Sequence, residues 1–580
     1  MIEGDLPIRF SELWTAKEIW RMGQDHEVSR RGLLGVAGAV VAGASLGTLG
    51  PAGTAEAEPV IPAPGGPADH GDLRVLPGDG RYETLSQGFN QRWTSEPCYI
   101  QLITGDADAV AGVSRALERD LRPTVRSGGH CYEDFVENTG GVILDMSTMN
   151  GVYRTKDKYG RTAHCVESGT TNWDIYNELF RKYGVTIPGG SCYSVGAGGH
   201  ICGGGYGVLS RRDGLTVDHL VQVDVVTVKD GRVEVTAAHR DDRDGSDTEH
   251  LFWAHTGGGG GNFGVVLRYY FAENLPTPPP RVWLSSISWP WADLVKNRYD
   301  FDRLLRNFGE FFAAHSGPDE KVYHQLFSIL KLTHKTNGNI ALFSQWVGED
   351  VAPLDAFLRE IESGLTTDSA MQTTSAGGLF LPLPEKRRQM PWLQATMTLN
   401  GSGANQRGKY KSAYHRKPFS DGNIAGIWNW LTRDEPNVDL TQTLVQVDSY
   451  GCRVNAVGSS DTAVPQRDSS MKLQYQTYWT DPAQDTAHLE FINGFYREVY
   501  AETGGVPEVS DATHDLGTDG AYVNYPDVDL GIATDPAPLY PRLYYKQNYQ
   551  RLQLAKGIWD QRNLFHHKQS IVVPGTTHNG

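Results

Sequence analysis

Apolar positions follow two different periods along the first third of the chain. Residues 109–119 and 173–183 carry apolar side chains at helical spacing, whereas 142–146 is a short β-branched run. Residues 221–228 form a longer β-rich run that ends in the turn Lys229-Asp230-Gly231. The pattern predicts strands and helices that alternate from about residue 99 onward, as in an α+β domain.

A cluster of four prolines in five residues, 276–280, marks a boundary in this pattern. Beyond it, residues 283–291, 322–332 and 339–347 have strand character, and residues 354–364 have helical spacing. We therefore expect a second sheet, separate from the first, with at least one helix packed against it.

Two glycine-rich stretches each contain a potential nucleophile. The first reads Arg126-Ser127-Gly128-Gly129-His130, and the second runs from Gly189 through Cys192 to His200. Glycine lets the backbone approach a ligand closely, and successive N–H groups in such loops bind pyrophosphate. Taken singly, each stretch is read as a surface turn, with Cys192 packed as a small apolar residue. Both together, in this order, favour covalent attachment of a flavin.

These stretches resemble the berberine-bridge-enzyme-like branch of the FAD-linked oxidases, including its bacterial sugar-oxidising members. Further matching blocks surround Tyr206, the run from 253 to 265 and the Tyr522–Asp527 segment, and they continue close to the C-terminus. The resemblance implies an FAD bonded covalently to His130 and Cys192. It also implies an α+β fold, in which a two-part FAD-binding domain accompanies a substrate domain with an antiparallel sheet backed by helices.

The same resemblance assigns roles to individual residues. Beside the two attachment residues, it implies cofactor contacts from Arg126, Ser127, Gly128, Gly129, Val195, Gly196, Gly198, Gly199, His200, Gly264, Val265, Tyr522 and Asn524. Val195 also corresponds to the place where a small branched residue accompanies ready reaction with oxygen. Arg211 is open to a structural ion pair.

Catalysis is expected from Tyr525, Asp448 and Tyr206. Oxidising an alcohol requires a base for the hydroxyl proton, and the resemblance gives that role to Tyr525. A free phenol, with a pKa near 10, is a poor base at neutral pH. The resemblance places Asp448 beside Tyr525, where it is expected to accept the tyrosine proton as a coupled partner, so that its loss would raise the pH optimum, and Tyr450 is the alternative. Tyr206 is expected over the flavin, near the substrate hydroxyl.

The sequence patterns and the resemblance together divide the chain into five parts. These are an export signal (1–57), a linker (58–75), an FAD-binding domain (76–275), a substrate-binding domain (276–514) and a return to the FAD-binding domain (515–580).

The letters of a dinucleotide fingerprint occur at Gly259–Gly264, but the β-rich run that follows excludes the helix that NAD binding requires.

The net charge and the cysteine content limit the kinds of partner and metal that we expect this chain to bind. A net charge of −16 argues against nucleic acid and against stable association with anionic membranes. Six cysteines are too few for a disulfide framework, and no Cys/His cluster has the spacing of a zinc site, so we expect no metal. His566-His567 is read as a surface pair.

The N-terminal segment predicts export to the extracellular space. Arg30-Arg31 precede a weakly apolar run rich in Ala and Gly, and Ala55-Glu56-Ala57 follow as a cleavage site. The run is too short and glycine-rich for a membrane anchor. Twin arginines of this kind are read by machinery that carries folded proteins, which suits a protein that must take up its flavin first.

The expected function is a secreted FAD-dependent oxidase of a sugar or glycosylated metabolite that reduces O₂ to H₂O₂. One alternative is a tailoring oxidase that cyclises or desaturates a non-sugar metabolite. A second is a flavin-binding protein without turnover, which the combination of His130, Cys192, Tyr206 and Tyr525 argues against. The tryptophans Trp346, Trp392, Trp428, Trp430 and Trp479 are candidates for stacking on sugar rings.

Overall fold

A computed structural model describes residues 73–371, 387–399, 405–510 and 513–574. The predicted export signal and most of the predicted linker lie outside these residues. Within them, no helix is both long and apolar enough to cross a membrane.

The first sheet is small and mixed, and it positions the His130 loop. Its strands are β1 (Arg74–Val75), β2 (Tyr99–Leu102), β3 (Pro123–Arg126) and β4 (Val142–Asp145), in the order β1-β2-β4-β3. Strand β4 pairs in parallel with both β2 and β3, and the helix Asp106–Glu118 connects β2 to β3. Since β3 is an edge strand and ends at Arg126, the following loop, 127–130, begins at the edge of the sheet.

The second sheet is antiparallel and lies beside the Cys192 loop. Its strands are β5 (Val152–Lys156), β6 (Thr162–Glu167), β7 (Leu220–Lys229), β8 (Arg232–His239) and β9 (Val265–Ala272), in the order β5-β6-β9-β7-β8. The strand β9 follows the Gly259–Gly264 turn directly, which confirms that no helix begins there. A bond from the Tyr269 hydroxyl to the Gly198 carbonyl oxygen (2.8 Å) ties β9 to the Cys192 loop.

The third sheet has eight strands and is antiparallel throughout, as predicted for the substrate domain. Its strands are β10 (Arg281–Pro290), β11 (Leu326–Thr333), β12 (Asn339–Trp346), β13 (Ala370–Met371), β14 (Arg387–Pro391), β15 (Arg407–His415), β16 (Leu444–Ser449) and β17 (Met471–Trp479). The order is β13-β10-β12-β11-β16-β17-β15, and β14 also pairs with β10. The predicted strand over 322–332 begins only at Leu326, because a 3₁₀ turn precedes it.

One face of this sheet is apolar and covered by helices. Leu330, Val445 and Leu473 are fully buried there against a core that includes Phe308 and Phe495. The backing helices are Arg298–Ala314, Ala352–Ile361, Asp421–Leu431 and Asp485–Val499. Because side chains alternate along a strand, the residues next to these three in sequence face the other way.

The remaining helices complete the described structure. They are Tyr82–Ser86, Asn172–Tyr183, Ala197–Cys202, Ser210–Asp213, Asp247–Ala254, Trp291–Leu294, Trp392–Thr398, Tyr540–Tyr545 and Tyr549–Trp559. The last of them packs back onto the first half of the chain. Lys556 Nζ donates to the Asn262 carbonyl oxygen (2.7 Å), and Trp559 Nε1 donates to that of Asp247 (2.8 Å). The C-terminal segment therefore contacts the region predicted to bind FAD.

Candidate active site

A cavity of about 780 Å³ lies between the two glycine-rich loops and the uncovered face of the eight-stranded sheet. His130 and Cys192 both line it, together with Tyr206, Asp448 and Tyr525. Residues predicted from four separate stretches of sequence thus meet in one place.

Two glycines hold the loops together backbone to backbone. A Cβ atom on Gly128 would lie 2.5 Å from the Gly196 nitrogen, and one on Gly196 would lie 2.1 Å from Ser127 Oγ. Ser127 reinforces the contact, since its Oγ donates to the Ser168 carbonyl oxygen (2.6 Å) and accepts from the Gly198 N–H (3.3 Å). Only glycine permits this approach, and the approach brings His130 and Cys192 to one cavity.

The two predicted attachment residues are chemically suited to bond an electrophilic ring. His130 stacks on Phe89 (4.6 Å between centroids), and its Nε2 lies 2.9 Å from Ser194 Oγ. Burial lowers the pKa of His130 to about 4, so the imidazole is neutral and nucleophilic at physiological pH. Cys192 is half-buried, and none of the six cysteines, all of which lie in the described residues, is in a disulfide bond.

The cavity wall fits a flat, phosphate-bearing cofactor such as FAD. A Cβ on Gly199, which lines the cavity, would meet nothing within 4 Å, so glycine there leaves room for a ligand. His200 supports the loop, because its Nε2 accepts from the Gly190 N–H (2.9 Å). Burial lowers the pKa of His200 to about 4, which keeps the ring neutral for this role. The Asn524 amide donates to the His200 carbonyl oxygen (3.0 Å) and thereby ties the C-terminal segment to the loop.

Most of the residues predicted to contact the cofactor line this cavity. They are Ser127, Gly128, Gly129, His130, Cys192, Val195, Gly196, Gly198, Gly199, His200, Gly264, Tyr522 and Asn524. Two others do not. Arg126 donates to the Leu85 carbonyl oxygen and lies 3.8 Å from Asp145, whereas Val265 is fully buried at the start of β9.

The sequence pairs Tyr525 with Asp448, but the structure inserts a lysine between them. Lys472 Nζ donates to the Tyr525 hydroxyl oxygen (3.0 Å) and lies 3.0 Å from Asp448 Oδ2. The other Asp448 oxygen accepts from the Gln446 amide (2.8 Å). Asp448 is therefore bonded to the lysine, which corrects the expectation that it accepts the tyrosine proton directly.

Lys472 is fully buried among tyrosine rings. Its ammonium lies 4.6 Å from the Tyr206 ring centroid, 5.4 Å from that of Tyr522 and 4.3 Å from that of Tyr525. Such contacts with the negative ring faces favour a desolvated cation. The Tyr206 hydroxyl donates to the Ser449 carbonyl oxygen, so this ring lies in the cavity wall with its own proton already bonded.

Two opposed effects set the acidity of Tyr525. Burial, with the Asp448 charge adding to it, raises the pKa of Tyr525 well above its ordinary value of 10. The hydrogen bond from Lys472 favours the phenolate and opposes that shift. Since Lys472 donates to the phenolic oxygen, Lys472 does not accept the hydroxyl proton of Tyr525. That proton is available to a different acceptor.

A chain of polar side chains runs along β17 beside this cluster, and it was not among the residues predicted from the sequence. The Tyr478 hydroxyl donates to Gln476 (2.8 Å), and the Gln476 amide donates to Gln474 (2.9 Å). The Gln474 amide donates in turn to the Tyr132 hydroxyl (2.8 Å), and the Tyr132 ring stacks on Tyr525 at 5.6 Å. These amides line the cavity and suit a ligand rich in hydroxyl groups.

Two alternatives raised by the sequence lie outside the cavity lining. Tyr450 is buried, and its hydroxyl donates to the Gln466 carbonyl oxygen (3.1 Å), which leaves it no access to a substrate. Arg211 forms no ion pair in the described structure. It is buried and donates to backbone carbonyl oxygens, including that of Leu326 (2.8 Å), so its role is structural.

The aromatic side chains of the cavity are mainly tyrosines. None of the five tryptophans considered for sugar stacking lines it, and Trp346, Trp392 and Trp479 are core residues.

The reading of His566-His567 as a surface pair is wrong for His567, which lines the cavity and stacks on Phe135 at 4.3 Å. Burial lowers the pKa of His567 to about 3.

Comparison with known proteins agrees with this site. Residues 101–237 match the family model described as FAD binding domain, and residues 521–572 match the one described as berberine and berberine like. The chain is an FAD-linked oxidoreductase and belongs to the berberine-bridge-enzyme-like family of FAD-linked oxidases.

Several relatives cover nearly the whole chain. The aclacinomycin-N/aclacinomycin-A oxidase of Streptomyces galilaeus is 37% identical over 95% of this chain and 99% of its own length. The hexose oxidase of Chondrus crispus is 36% identical over 85% and 93%, respectively. A solved structure of a glycopeptide hexose oxidase complexed with teicoplanin is 37% identical, covers 87% of this chain and 99% of that one, and has a TM-score of 0.77.

Proposed function

We propose that this protein is a secreted oxidase that holds FAD covalently through His130 and Cys192 and oxidises a hydroxyl carbon of a sugar or glycosylated metabolite. Two of its relatives are named for the oxidation of hexoses, and the hydroxyl-binding amides along β17 support a sugar as the ligand. Bound FAD would supply the hydride acceptor and pass the electrons to O₂, which leaves as H₂O₂.

One observation carries the proposal. Tyr525 lies in the cavity wall, and its phenolic oxygen accepts a hydrogen bond from Lys472. Tyr525 Oη takes the proton of the substrate hydroxyl while the carbon loses its hydride, so that an alcohol becomes a carbonyl and an aldose becomes a lactone. Lys472 stabilises the phenolate form that can accept this proton. Asp448, 3.0 Å from the ammonium, holds Lys472 in place and balances its charge.

Three further features support the remaining parts of the proposal. Val195 lies in the cavity wall within the Cys192 loop, and the resemblance associates a small branched residue at this position with ready reaction with oxygen. The neutral imidazole of His130 and the thiol of Cys192, which forms no disulfide bond, both line the cavity and support two covalent bonds. The pair Arg30-Arg31, ahead of a weakly apolar run, supports export of the folded, flavin-loaded protein.

Oxygen uptake and peroxide formation with a substrate panel test the proposal. The panel comprises free oligosaccharides, glycosylated aglycones and the same aglycones without sugar, and Tyr525→Phe is the matched control. We expect turnover only with sugar-bearing compounds and little turnover with the variant. Oxidation of sugar-free aglycones alone would instead establish the tailoring oxidase of a non-sugar metabolite.

A further inference from the structure

Two buried lysines on the edge strand β15 contact a group of three carboxylates. Lys409 Nζ lies 2.5 Å from Glu133 Oε1, 2.7 Å from Asp527 Oδ1 and 3.2 Å from Asp529 Oδ2. Lys411, two residues further along the strand, lies 2.7 Å from both Asp527 Oδ2 and Asp529 Oδ2. None of these five residues lines the cavity, so they act on the site only through the segments that they hold.

The three carboxylates belong to two separate parts of the site. Glu133 follows His130 by three residues, whereas Asp527 follows Tyr525 by two. Lys409 therefore joins the His130 loop to the Tyr525 segment, by which we mean residues 522–529. Lys411 contacts the Tyr525 segment but not Glu133, so the two lysines share a strand and differ in what they connect.

The bond between Lys409 and Glu133 lies in the interior, where such a bond is strong. The two side chains are 2% and 1% exposed. Burial alone would lower the pKa of Lys409, but the charges of Asp527 and Glu133 outweigh it and raise that pKa above its ordinary value. The lysine is therefore an ammonium at physiological pH, and its bonds to carboxylates are charge-assisted.

Other contacts between the His130 loop and the C-terminal residues are weaker. The Val528 N–H donates to Glu133 Oε1 over 3.4 Å, which is long for a hydrogen bond. The ion pair between Lys568 and Asp134 has side chains that are 48% and 24% exposed, and exposed pairs contribute little. Lys409 is thus the strongest of these links.

We propose that Lys409 is a positioning residue, which acts through Glu133 to hold the His130 loop where the imidazole reaches the flavin. The covalent bond itself rests on the proposed function. When it forms, an N–H bond of His130 and a C–H bond of the flavin break and an N–C bond forms, while the two electrons and two protons released pass to O₂, which becomes H₂O₂. A misplacement of about 1 Å can slow a reaction about 10²-fold, so the support of the loop matters.

Hydrogen–deuterium exchange and peptide mass spectrometry of the flavin-loaded protein test this without any substrate. In Lys409→Met, loss of a hydrogen bond between charged groups should speed exchange of the amides of residues 131–136 about 10- to 100-fold. The fraction of flavin joined to the His130 peptide should fall, while the fraction joined to the Cys192 peptide stays unchanged. Glu133→Gln, which leaves less buried charge unpaired, should show the same changes to a smaller degree.

Lys411→Met is the matched control, since it removes an equally buried ammonium from the same strand. Asp527 keeps its bond to Lys409, and its main chain is held by the Tyr544 hydroxyl (3.0 Å) and the Gln569 amide (2.7 Å). We expect the loop to exchange as in the unmodified protein and His130 to stay fully linked. A comparable fall in melting temperature in the two lysine variants would show that lost stability alone does not loosen the loop.

Two outcomes would overturn the proposal: loop exchange that is unchanged in both Lys409→Met and Glu133→Gln, or loop exchange that rises equally in Lys411→Met. Failure of the proposed function would be seen separately, in the unmodified protein. If that protein carries no covalent flavin, the proposed attachment is refuted, and the exchange rates still decide whether Lys409 holds the loop. If it carries the flavin and the two lysine variants behave alike, only the role of Lys409 is refuted.

Discussion

Replacing Lys472 with methionine should shift the pH profile of the flavin reduction rate to higher pH. The ammonium donates to the Tyr525 oxygen at 3.0 Å, and this bond favours the phenolate. A hydrogen bond to a charged group contributes about 1.5–3 kcal/mol, which corresponds to about one to two pKa units. Burial already raises the pKa of Tyr525, so loss of Lys472 raises it further. At pH 7 the phenolate fraction, and with it the rate, should fall about 10- to 100-fold, and the loss should be recovered as the pH rises.

Anaerobic stopped-flow reduction, followed by flavin absorbance from about pH 6 to about pH 10, measures how the rate rises with the phenolate fraction of Tyr525 at pH values below its raised pKa. Lys472→Met leaves Asp448 buried without its partner, which costs about 3–5 kcal/mol of stability, so folding must be checked by melting temperature. The double variant with Asp448→Asn removes both charges and separates the two effects. A profile that is unchanged, or that moves to lower pH in Lys472→Met, would refute the role given to the lysine.

Three further predictions concern the base, its environment and export. Tyr525→Phe should slow flavin reduction by about 10²- to 10⁴-fold without recovery at high pH, while the flavin spectrum stays the same. Asp448→Asn removes a charge that raises the pKa of Tyr525, so the stopped-flow profile should move to lower pH, and an upward movement would contradict this. Replacing Arg30 and Arg31 with lysines should leave folded, flavin-loaded protein in the cytoplasm, which fractionation and immunoblotting would detect, whereas normal secretion would indicate another route.

The loops of the site were predictable because their chemistry is contiguous in sequence. His130 and Cys192 each lie within a run of glycines, and such runs have few structural uses other than close backbone approach. The apolar periods likewise predicted β10, β12 and the helix Ala352–Ile361 to within a few residues. Only the start of β11 differed appreciably, since the 3₁₀ turn at Tyr323–Gln325 lacks a distinctive pattern.

Lys472 was not predictable, because its importance depends on strand pairing. In the run Met471–Trp479, polar and apolar side chains alternate, which is typical of a strand with one face in water. Here the polar face forms a cavity wall instead, and only the register places Lys472 opposite Asp448. The alternation of polar and apolar side chains was the available signal. It is compatible with a polar face in water or with a polar cavity wall, and the sequence alone does not show which of the two this strand has. The sugar-stacking role of the tryptophans failed for a related reason, since sequence does not distinguish a core tryptophan from a cavity one.

Acid precipitation followed by mass spectrometry of the peptides tests whether this chain holds its flavin through two covalent bonds between the glycine loops. We expect a pellet that stays yellow and one flavin joined to both the His130 and the Cys192 peptides. His130→Ala should retain a single bond through Cys192, and the double variant with Cys192→Ala should release all of its FAD. Release of free FAD from the unmodified protein would show that the flavin is not covalently attached.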